Sequence, residues 1–227
     1  MAIAIESNDT VFTGSAAASS SQTRSITLGS GSNLYLLIFI TVDVYSTGTD
    51  ITSVTWNGAT MSRLAAVGPI TAQHANYIYG LVNPDTGTHN YVITANGTTQ
   101  FGITSAYVNL SGAKQTGQPD NANTNSGTGS ATTLSVALTT VANNSAAFIF
   151  TNCGTTASAG TNESTIILDA GNGRVLAKSA TFPLTPAGSY TMTSNMTSNA
   201  GNIFTGTAVS IAPVASAVNS NFFLFMK

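Results

Sequence analysis

The chain contains two histidines, His74 and His89, and one cysteine, Cys153. Histidine is the residue best suited to general acid–base chemistry near neutral pH, and a Ser-His-Asp triad needs one beside an activated serine. No G-x-S-x-G turn is present to expose such a serine. His74 lies in a polar stretch and His89 begins a predicted strand, which favours surface or strand-end positions. Cys153 follows an apolar strand, so we expect a small buried residue rather than a nucleophile.

Carboxylates are equally sparse, and most fall in predicted turns, where they cap the backbone. The eight acids are Glu6, Asp9, Asp43, Asp50, Asp85, Asp120, Glu163 and Asp169. Asp43 and Asp50 share one loop and could meet a cation together, but turn capping is the favoured interpretation. A hydrolase with Asp43, Asp50 or His74 in its site stays a minor alternative. We therefore predict a protein that is not an enzyme, with no catalytic residues.

Asn121, Asn123 and Asn125 have the spacing of a calcium loop. The segment lacks both the glycine at the sixth position and the distal bidentate glutamate. No metal and no cofactor are predicted.

Three aromatic residues suggest a different site. Tyr77 and Tyr79 share one face of a predicted strand, and Trp56 is the only tryptophan. Exposed, the three could form a platform for a carbohydrate. The favoured interpretation is a half-buried aromatic face of a sandwich.

These residues sit in short runs rich in Val, Ile, Thr, Tyr and Phe that are broken by Gly, Asn, Asp and Pro, the pattern of an all-β protein. The Asn57-Gly58 pair is a strong hairpin signal. We predict an antiparallel β-sandwich of jelly-roll or immunoglobulin-like kind. The predicted strands are Arg24–Leu28, Leu34–Val44, Ser53–Trp56, Ala75–Leu81, His89–Ala95, Ile103–Leu110, Thr133–Thr139, Ala146–Asn152, Thr165–Leu168, Arg174–Ala180, Ser189–Ser194 and Thr205–Ile211.

Two halves of the chain repeat the same order of elements, which favours two similar halves packed together. Residues 25–41 match residues 135–151, since each is a strand, a polar turn and a longer apolar strand ending in Thr. Residues 87–94 then match 188–193, and residues 101–108 match 204–211. Chance likeness between Thr-rich strands is the alternative.

The predicted organisation has five parts. They are an N-terminal arm (1–23), a first sandwich half (24–116), a linker or long loop (117–131), a second half (132–214) and an apolar tail (215–227). Ile3 and Ile5 in the arm could add an edge strand. In the tail, Phe222, Phe223 and Phe225 either pack on the protein's own core or anchor a neighbouring subunit. The N-terminus does not read as a signal peptide, so we expect synthesis in the cytoplasm without export by the general route.

Composition narrows the function classes. Only 6% of residues are charged and the net charge is −2, against about 25% charged residues in typical proteins. Six basic residues cannot build a nucleic-acid interface, and the longest apolar run is too short for a membrane helix. Neither nucleic acid nor membrane is an expected partner. Low charge removes the usual protection against strand-edge pairing, so we expect a homo-oligomer, a trimer or larger.

Four segments resemble a loosely defined, mostly uncharacterised group of β-sandwich proteins of phages and bacteria. Its patterns are GSNRxLLV, VTxVTYNGxAM, YxLxNPxxGTHxVxVT and a closing strand ending SGA. The corresponding residues here are 31–38 (GSNLYLLI), 51–61 (ITSVTWNGATM), 79–89 (YGLVNPDTGTH) and 106–113 (AYVNLSGA). The likeness covers residues 25–115 well and the second half only by pattern, and the basic residue after Asn33 is missing. The resemblance implies a sandwich fold and a structural or surface-associated role, and brings no catalytic residues.

Together these features favour a non-enzymatic structural protein of a phage virion, a capsid decoration (cement) or fibre protein. Ile3, Ile5, Phe222, Phe223 and Phe225 are the predicted assembly contacts. A major capsid protein or another virion protein is a second possible partner. The alternative is a carbohydrate-binding or adhesin module on a cell or virion surface, with Trp56, Tyr77 and Tyr79 as its platform. The expected location is the virion, or in the alternative an extracellular surface.

Overall fold

A computed structural model describes residues 2–14, 18–43, 49–70, 74–99, 102–197 and 203–215, and it confirms an all-β protein built of packed antiparallel sheets. The strands of the first half are β1 (Ala4–Asn8), β2 (Thr13–Gly14), β3 (Ser19–Leu28), β4 (Tyr35–Asp43), β5 (Ile51–Trp56), β6 (Ala59–Thr60), β7 (Ser62–Ile70), β8 (His74–Val82), β9 (Gly87–Thr99) and β10 (Ile103–Ser111). The strands of the second half are β11 (Asn121–Thr128), β12 (Thr133–Thr140), β13 (Ala146–Asn152), β14 (Thr156–Ala159), β15 (Glu163–Asp169), β16 (Arg174–Ser179), β17 (Gly188–Thr197) and β18 (Ile203–Ile211).

Each half is a two-sheet sandwich, and the two halves have the same strand order. The first half has an inner sheet ordered β1-β10-β4-β8-β7, with β2 also on β10, and an outer sheet ordered β3-β9-β5-β6. The second half has an inner sheet ordered β11-β18-β13-β16-β15 and an outer sheet ordered β12-β17-β14. Most successive strands alternate between the two sheets of their half, as in a double-sheet jelly roll. β7 and β15 extend the inner sheets instead.

The four sheets stack as layers with three apolar cores between them. The first core lies between the sheets of the first half and contains Trp56 and Ile38. The third core lies between the sheets of the second half and contains Ile149 and Met192. The middle core lies between the two inner sheets and includes Phe39, Phe148 and Phe150. The halves therefore share a core rather than joining through a linker alone.

This layering explains why the central strands are apolar on both faces. β4 and β13 are buried along their described lengths, because one face of each strand meets its own half and the other face meets the opposite half. Strands buried on both faces read as continuous apolar runs rather than as alternating patterns.

The two halves repeat the same order of strands, as predicted. The residue-by-residue alignment predicted from the sequence, however, is off by one residue between β4 and β13. Laying residues 25–41 on 135–151 pairs Ile38 with Phe148, yet Ile38 faces the first core and Phe148 the middle core. The physical reason is the turn before each strand. Inward positions Leu28 and Leu36 are eight residues apart, whereas Leu138 and Ala147 are nine apart.

The predicted linker at 117–131 is wrong for most of its length. Residues 121–128 form β11, which pairs with β18 from Asn121 opposite Ser210 to Thr128 opposite Ile203. The segment before it is also held, since Lys114 N donates to Ala212 O at 2.9 Å. An apolar-poor sequence forms a strand here because β11 lies at a sheet edge.

The predicted N-terminal arm also belongs to the fold. β1 adds to the edge of β10, as the sequence suggested, and Ile3 is 2% exposed in the middle core. β3 begins at Ser19 rather than Arg24 and pairs with β9. Residues 15–17, which fall in the predicted flexible Ala/Ser stretch, lie outside the described residues.

Candidate functional site

The proposed aromatic platform is wrong, because its three side chains are buried. Trp56, Tyr77 and Tyr79 are 0%, 1% and 3% exposed and all face the first core. Trp56 Nε1 donates to Asp85 O at 3.0 Å, and Tyr79 Oη donates to Ile51 O at 3.1 Å. The polar atoms of Trp56 and Tyr79 thus have partners inside the protein, whereas the buried Tyr77 Oη has no hydrogen-bond partner among the described residues. No aromatic surface remains at this place for a sugar.

Arg63 contacts both Tyr77 and Tyr79. Its Nε donates to Tyr79 Oη at 2.9 Å, and its guanidinium lies 5.4 Å from the centre of the Tyr77 ring. Asp50 accepts from the same guanidinium at 3.1 Å. Burial raises the pKa of Tyr79, so this phenol stays protonated and works as a hydrogen-bond donor. The cluster is a self-contained packing unit.

The three residues of the hydrolase alternative lie in different surroundings. Asp50 is used by Arg63, and His74 lies beside the second half, where a Cβ on Gly154 would fall 3.0 Å from its Nε2. Asp43 is paired with His74 through the backbone of β4 and β8, and its side chain lies outside the described residues.

The other titratable groups have structural partners. Arg24 donates to both oxygens of Asp9 at 2.8 Å, and Arg174 to Asp169 at 3.3 Å. Cys153 is fully buried, as its sequence position predicted. His89 packs edge-on against Trp56, with ring centres 5.5 Å apart. The described arginines are therefore all engaged with carboxylates.

The asparagine run that resembled a calcium loop has a different use. Asn123 Nδ2 donates to Ala137 O at 3.0 Å, and Asn125 Nδ2 donates to Ser135 O at 2.8 Å. Asn121 Oδ1 accepts from Thr139 N at 3.2 Å. These side chains reach from β11 to the outer edge of β12, the neighbouring edge of the other sheet. We call this set the asparagine ladder.

The predicted assembly contacts divide into two groups. Ile3 is buried within its own chain and Ile5 is half-buried against the same middle core, so the structure uses them internally. This corrects their assignment as contacts to another subunit. Phe222, Phe223 and Phe225 lie outside the described residues, and their role stays a prediction.

A shallow depression of about 440 Å³ lies on the outer sheet of the first half. It lies where β3, β9 and β5 run side by side, with Ser25 opposite Asn90 and Thr55 opposite Val92. The Asn57-Gly58 turn forms one end of it. Asn57 and Gly58 have φ of 45° and 82°, which confirms the predicted hairpin turn.

Aromatic residues do not mark this depression in the sequence, since no Trp, Tyr or Phe lines it. The available signal was polar alternation at period two, with Ser21, Thr23, Ser25 and Thr27 on one face of β3. Such a pattern marks a solvent-facing side of a sheet. The alternation does not predict which solvent-facing sheet surface is concave, because the concavity depends on how β3, β9, β5 and the Asn57-Gly58 turn are placed together.

In the part of the chain that the structure describes, no group of three or more His, Cys, Asp or Glu side chains could hold a metal ion. No helix in that part of the chain is long and apolar enough to cross a membrane.

Comparison with protein-family models, with curated proteins and with solved structures found no match to this chain.

Proposed function

We propose that this protein is a non-enzymatic structural protein of a phage virion, a capsid decoration or fibre protein that acts through contacts between subunits. The observation that carries the proposal is the chemistry of the two outer sheets. Their solvent faces consist of short, mostly polar side chains without charge. The exposed and half-exposed residues on these faces are Ser21, Thr23, Ser25, Thr27, Ser53, Thr55, Thr88, Asn90, Val92 and Thr94 in the first half, and Thr133, Ser135, Ala137, Thr139, Thr156, Ser158, Ser189, Thr191, Thr193, Asn195 and Thr197 in the second.

Uncharged faces of this kind suit tight contacts between copies. Like charges on facing copies repel one another, and ordering long charged side chains costs up to about 2 kcal/mol each in rotamer entropy. Ser and Thr have little rotamer entropy to lose and can hydrogen-bond across an interface. The three ion pairs of Arg24, Arg63 and Arg174 keep most of the described cationic charge away from these faces.

The fold is compatible with this role, and so is the resemblance of residues 25–115 to phage and bacterial sandwich proteins. Jelly rolls occur in viral capsid proteins and also in lectins. A shared fold is an analogy and does not carry function by itself. The apolar tail with Phe222, Phe223 and Phe225 is predicted from the sequence to offer a further contact for another copy or for a capsid protein.

The test is the mass of the purified protein by light scattering over a wide concentration range. We expect a discrete trimer or a larger assembly. A variant with Thr23→Lys and Thr133→Lys places one charge on each outer face, and we expect its assembly to need at least about tenfold higher concentration. Val141→Lys is the matched control, because Val141 is 73% exposed in a turn outside both faces. A monomer at all concentrations contradicts the proposal.

Two truncations separate assembly from folding. Removal of residues 222–227 should lower the assembled mass and leave the free energy of unfolding unchanged. Removal of residues 1–12 should destabilise the first half instead, because it deletes β1, the buried Ile3 and the Asp9 partner of Arg24. If the tail deletion leaves the assembled mass unchanged, the tail is not an assembly contact.

A further inference from the structure

The depression on the outer sheet of the first half carries hydrogen-bonding groups that the protein leaves unused. The side chains of Ser25, Thr55 and Asn90 line it and make no hydrogen bond to any other described residue. Their neighbours do form such bonds. Thr27 and Thr88 bond to each other through their hydroxyls at 2.8 Å, and His89 Nε2 lies 3.0 Å from Thr86 O.

The spacing of these groups suits a small polyhydroxylated ligand. Neighbouring strands lie about 4.8 Å apart, and side chains on one face of a strand recur about every 6.7 Å. Hydroxyl and amide groups on β3, β9 and β5 therefore form a grid of the size of one or two sugar rings. Val92 lies between Thr23 and Thr55 in register and supplies an apolar patch, onto which the C–H face of a sugar ring can pack.

The charge of the depression selects among ligands. No Asp, Glu, Lys or Arg lines it. An anionic or cationic ligand would lose hydration here without gaining a charged partner. A neutral ligand with many hydroxyls matches both the uncharged lining and the unpaired donors and acceptors.

The second half supplies an internal comparison, because its outer sheet has the same strand order. There, Thr193 gives both its N–H and its hydroxyl to Glu163 at 2.8 Å, and Asn195 Nδ2 donates to Ala159 O at 3.2 Å. Matching Gly87 with Gly188, the residues that begin β9 and β17, places Val92 at the position of Thr193 and Thr94 at that of Asn195. At these two positions the second half therefore has polar side chains that bond internally, whereas the first half has Val92, which lines the depression, and Thr94.

We propose that this depression is a binding site for neutral carbohydrate, with Ser25, Thr55 and Asn90 as the hydrogen-bonding residues and Val92 as the apolar contact. The site goes beyond the structural role proposed above, and it lies on the outer face of the first half that is also proposed for contacts between copies. Light scattering tests the contacts and a sugar titration tests the site, so each proposal can fail alone. An assembling protein without it would still show the expected mass, and a monomer could still bind sugar.

Trp56 allows a direct test, since it is the only tryptophan and packs against His89, which also lines the depression. Tryptophan fluorescence is titrated with neutral glucan, mannan and N-acetylglucosamine oligomers, and with oligogalacturonate as an acidic comparison. We expect a saturable change with at least one neutral oligomer and none with the acidic one. Absence of a response to every neutral oligomer, or an equal response to the acidic one, overturns the proposal.

Variants then locate the site. Asn90→Ala should weaken binding by about tenfold or more, because it removes a hydrogen-bonding side chain from the centre of the grid. Thr191→Ala is the control at the matching position of β17 and should leave binding within about twofold. Thr55→Val keeps the side-chain shape and serves if Asn90→Ala fails to fold. Unchanged binding by the folded variants places any sugar elsewhere and overturns the assignment.

Discussion

At the scale of single residues, buried tyrosines place hydroxyl groups inside the first and middle cores. Tyr91 Oη bonds to Ser105 Oγ at 2.8 Å, and Ser105 Oγ bonds in turn to Gln22 Oε1 at 2.5 Å. Burial raises the pKa of Tyr91 to about 12, and burial also raises the pKa of Tyr35 to about 12. These phenols are therefore held neutral well above the pH at which free tyrosine ionises.

Alkaline pH should destabilise the protein through these residues. An unfolded tyrosine loses its proton near pH 10, whereas the folded Tyr91 keeps it to about pH 12. The unfolded state therefore releases protons first, and the free energy of unfolding falls as pH rises from about 10 to 12, by up to about 1.4 kcal/mol per pH unit for each such residue.

Urea unfolding at pH 8, 10, 11 and 12 measures this slope. Tyr91→Phe should make the slope shallower by one tyrosine's share. Ser105→Ala loses the same hydrogen bond but keeps the titrating phenol, so its slope should stay as steep as that of the unchanged protein. Equal slopes for Tyr91→Phe and the unchanged protein contradict the assignment to Tyr91.

At the scale of elements, the outer edge of β12 is protected by amides rather than by charges. Natural sheets usually blunt their edges with Lys, Pro or bulges. Here the asparagine ladder, made by Asn121, Asn123 and Asn125, occupies main-chain groups on the outer edge of β12. Asp120 extends it, since its Oδ2 accepts from Val141 N at 2.8 Å. A low-charge sequence can in this way keep an edge from pairing indiscriminately.

Removing two rungs of the ladder should therefore have two effects. Asn123→Ala with Asn125→Ala loses two hydrogen bonds to β12, and we expect the free energy of unfolding to fall by about 1–3 kcal/mol. The exposed edge of β12 should also raise the rate of aggregation, measured by light scattering near the unfolding midpoint. Thr133→Ala is the control, because Thr133 is an exposed residue of β12 itself. Unfolding and aggregation like those of the control would show that water replaces the ladder without loss.

At the scale of the whole molecule, the shared middle core makes one unit of two similar halves. Phe39 lies 6.0 Å from Phe148 between ring centres, across the junction. At one part of the junction the contacts are polar. Asn76 Nδ2 donates to Thr205 O at 3.2 Å, and Asn152 Nδ2 donates to Thr41 Oγ1 at 2.7 Å. These buried amides fix how the two inner sheets are placed against each other.

The halves should consequently unfold together. Trp56 reports on the first half by fluorescence, and the buried Cys153 reports on the second by its reaction with a thiol reagent. We expect both transitions at the same denaturant concentration. Phe148→Ala should shift both by the same amount, with a loss of about 3–5 kcal/mol. A fluorescence transition clearly separate from thiol exposure would mean that the middle core does not couple the halves.

Much of the fold could be predicted from the sequence, because strand composition and turn residues act locally. The strand Ala146–Asn152 has the bounds that the sequence predicts. The predicted hairpin turn is present at Asn57-Gly58, where both residues adopt the positive φ that such a turn requires. The repeat between the two halves of the sequence also predicted their common order of strands. β11 was missed, since an edge strand of Asn, Thr and Ser needs no apolar face and looks like a linker.

The sequence by itself determined an all-β sandwich, a duplicated strand order and a chain poor in charge. Only the tertiary structure decided which faces meet solvent. Period two places Tyr77 and Tyr79 on one side of β8, but that strand lies in an inner sheet, so both of its sides are buried. The open polar face lies instead on β3, β9 and β5, because the first half turns that sheet outward. Alternation along a strand is local, whereas the layer in which the strand lies depends on contacts between residues far apart in the chain.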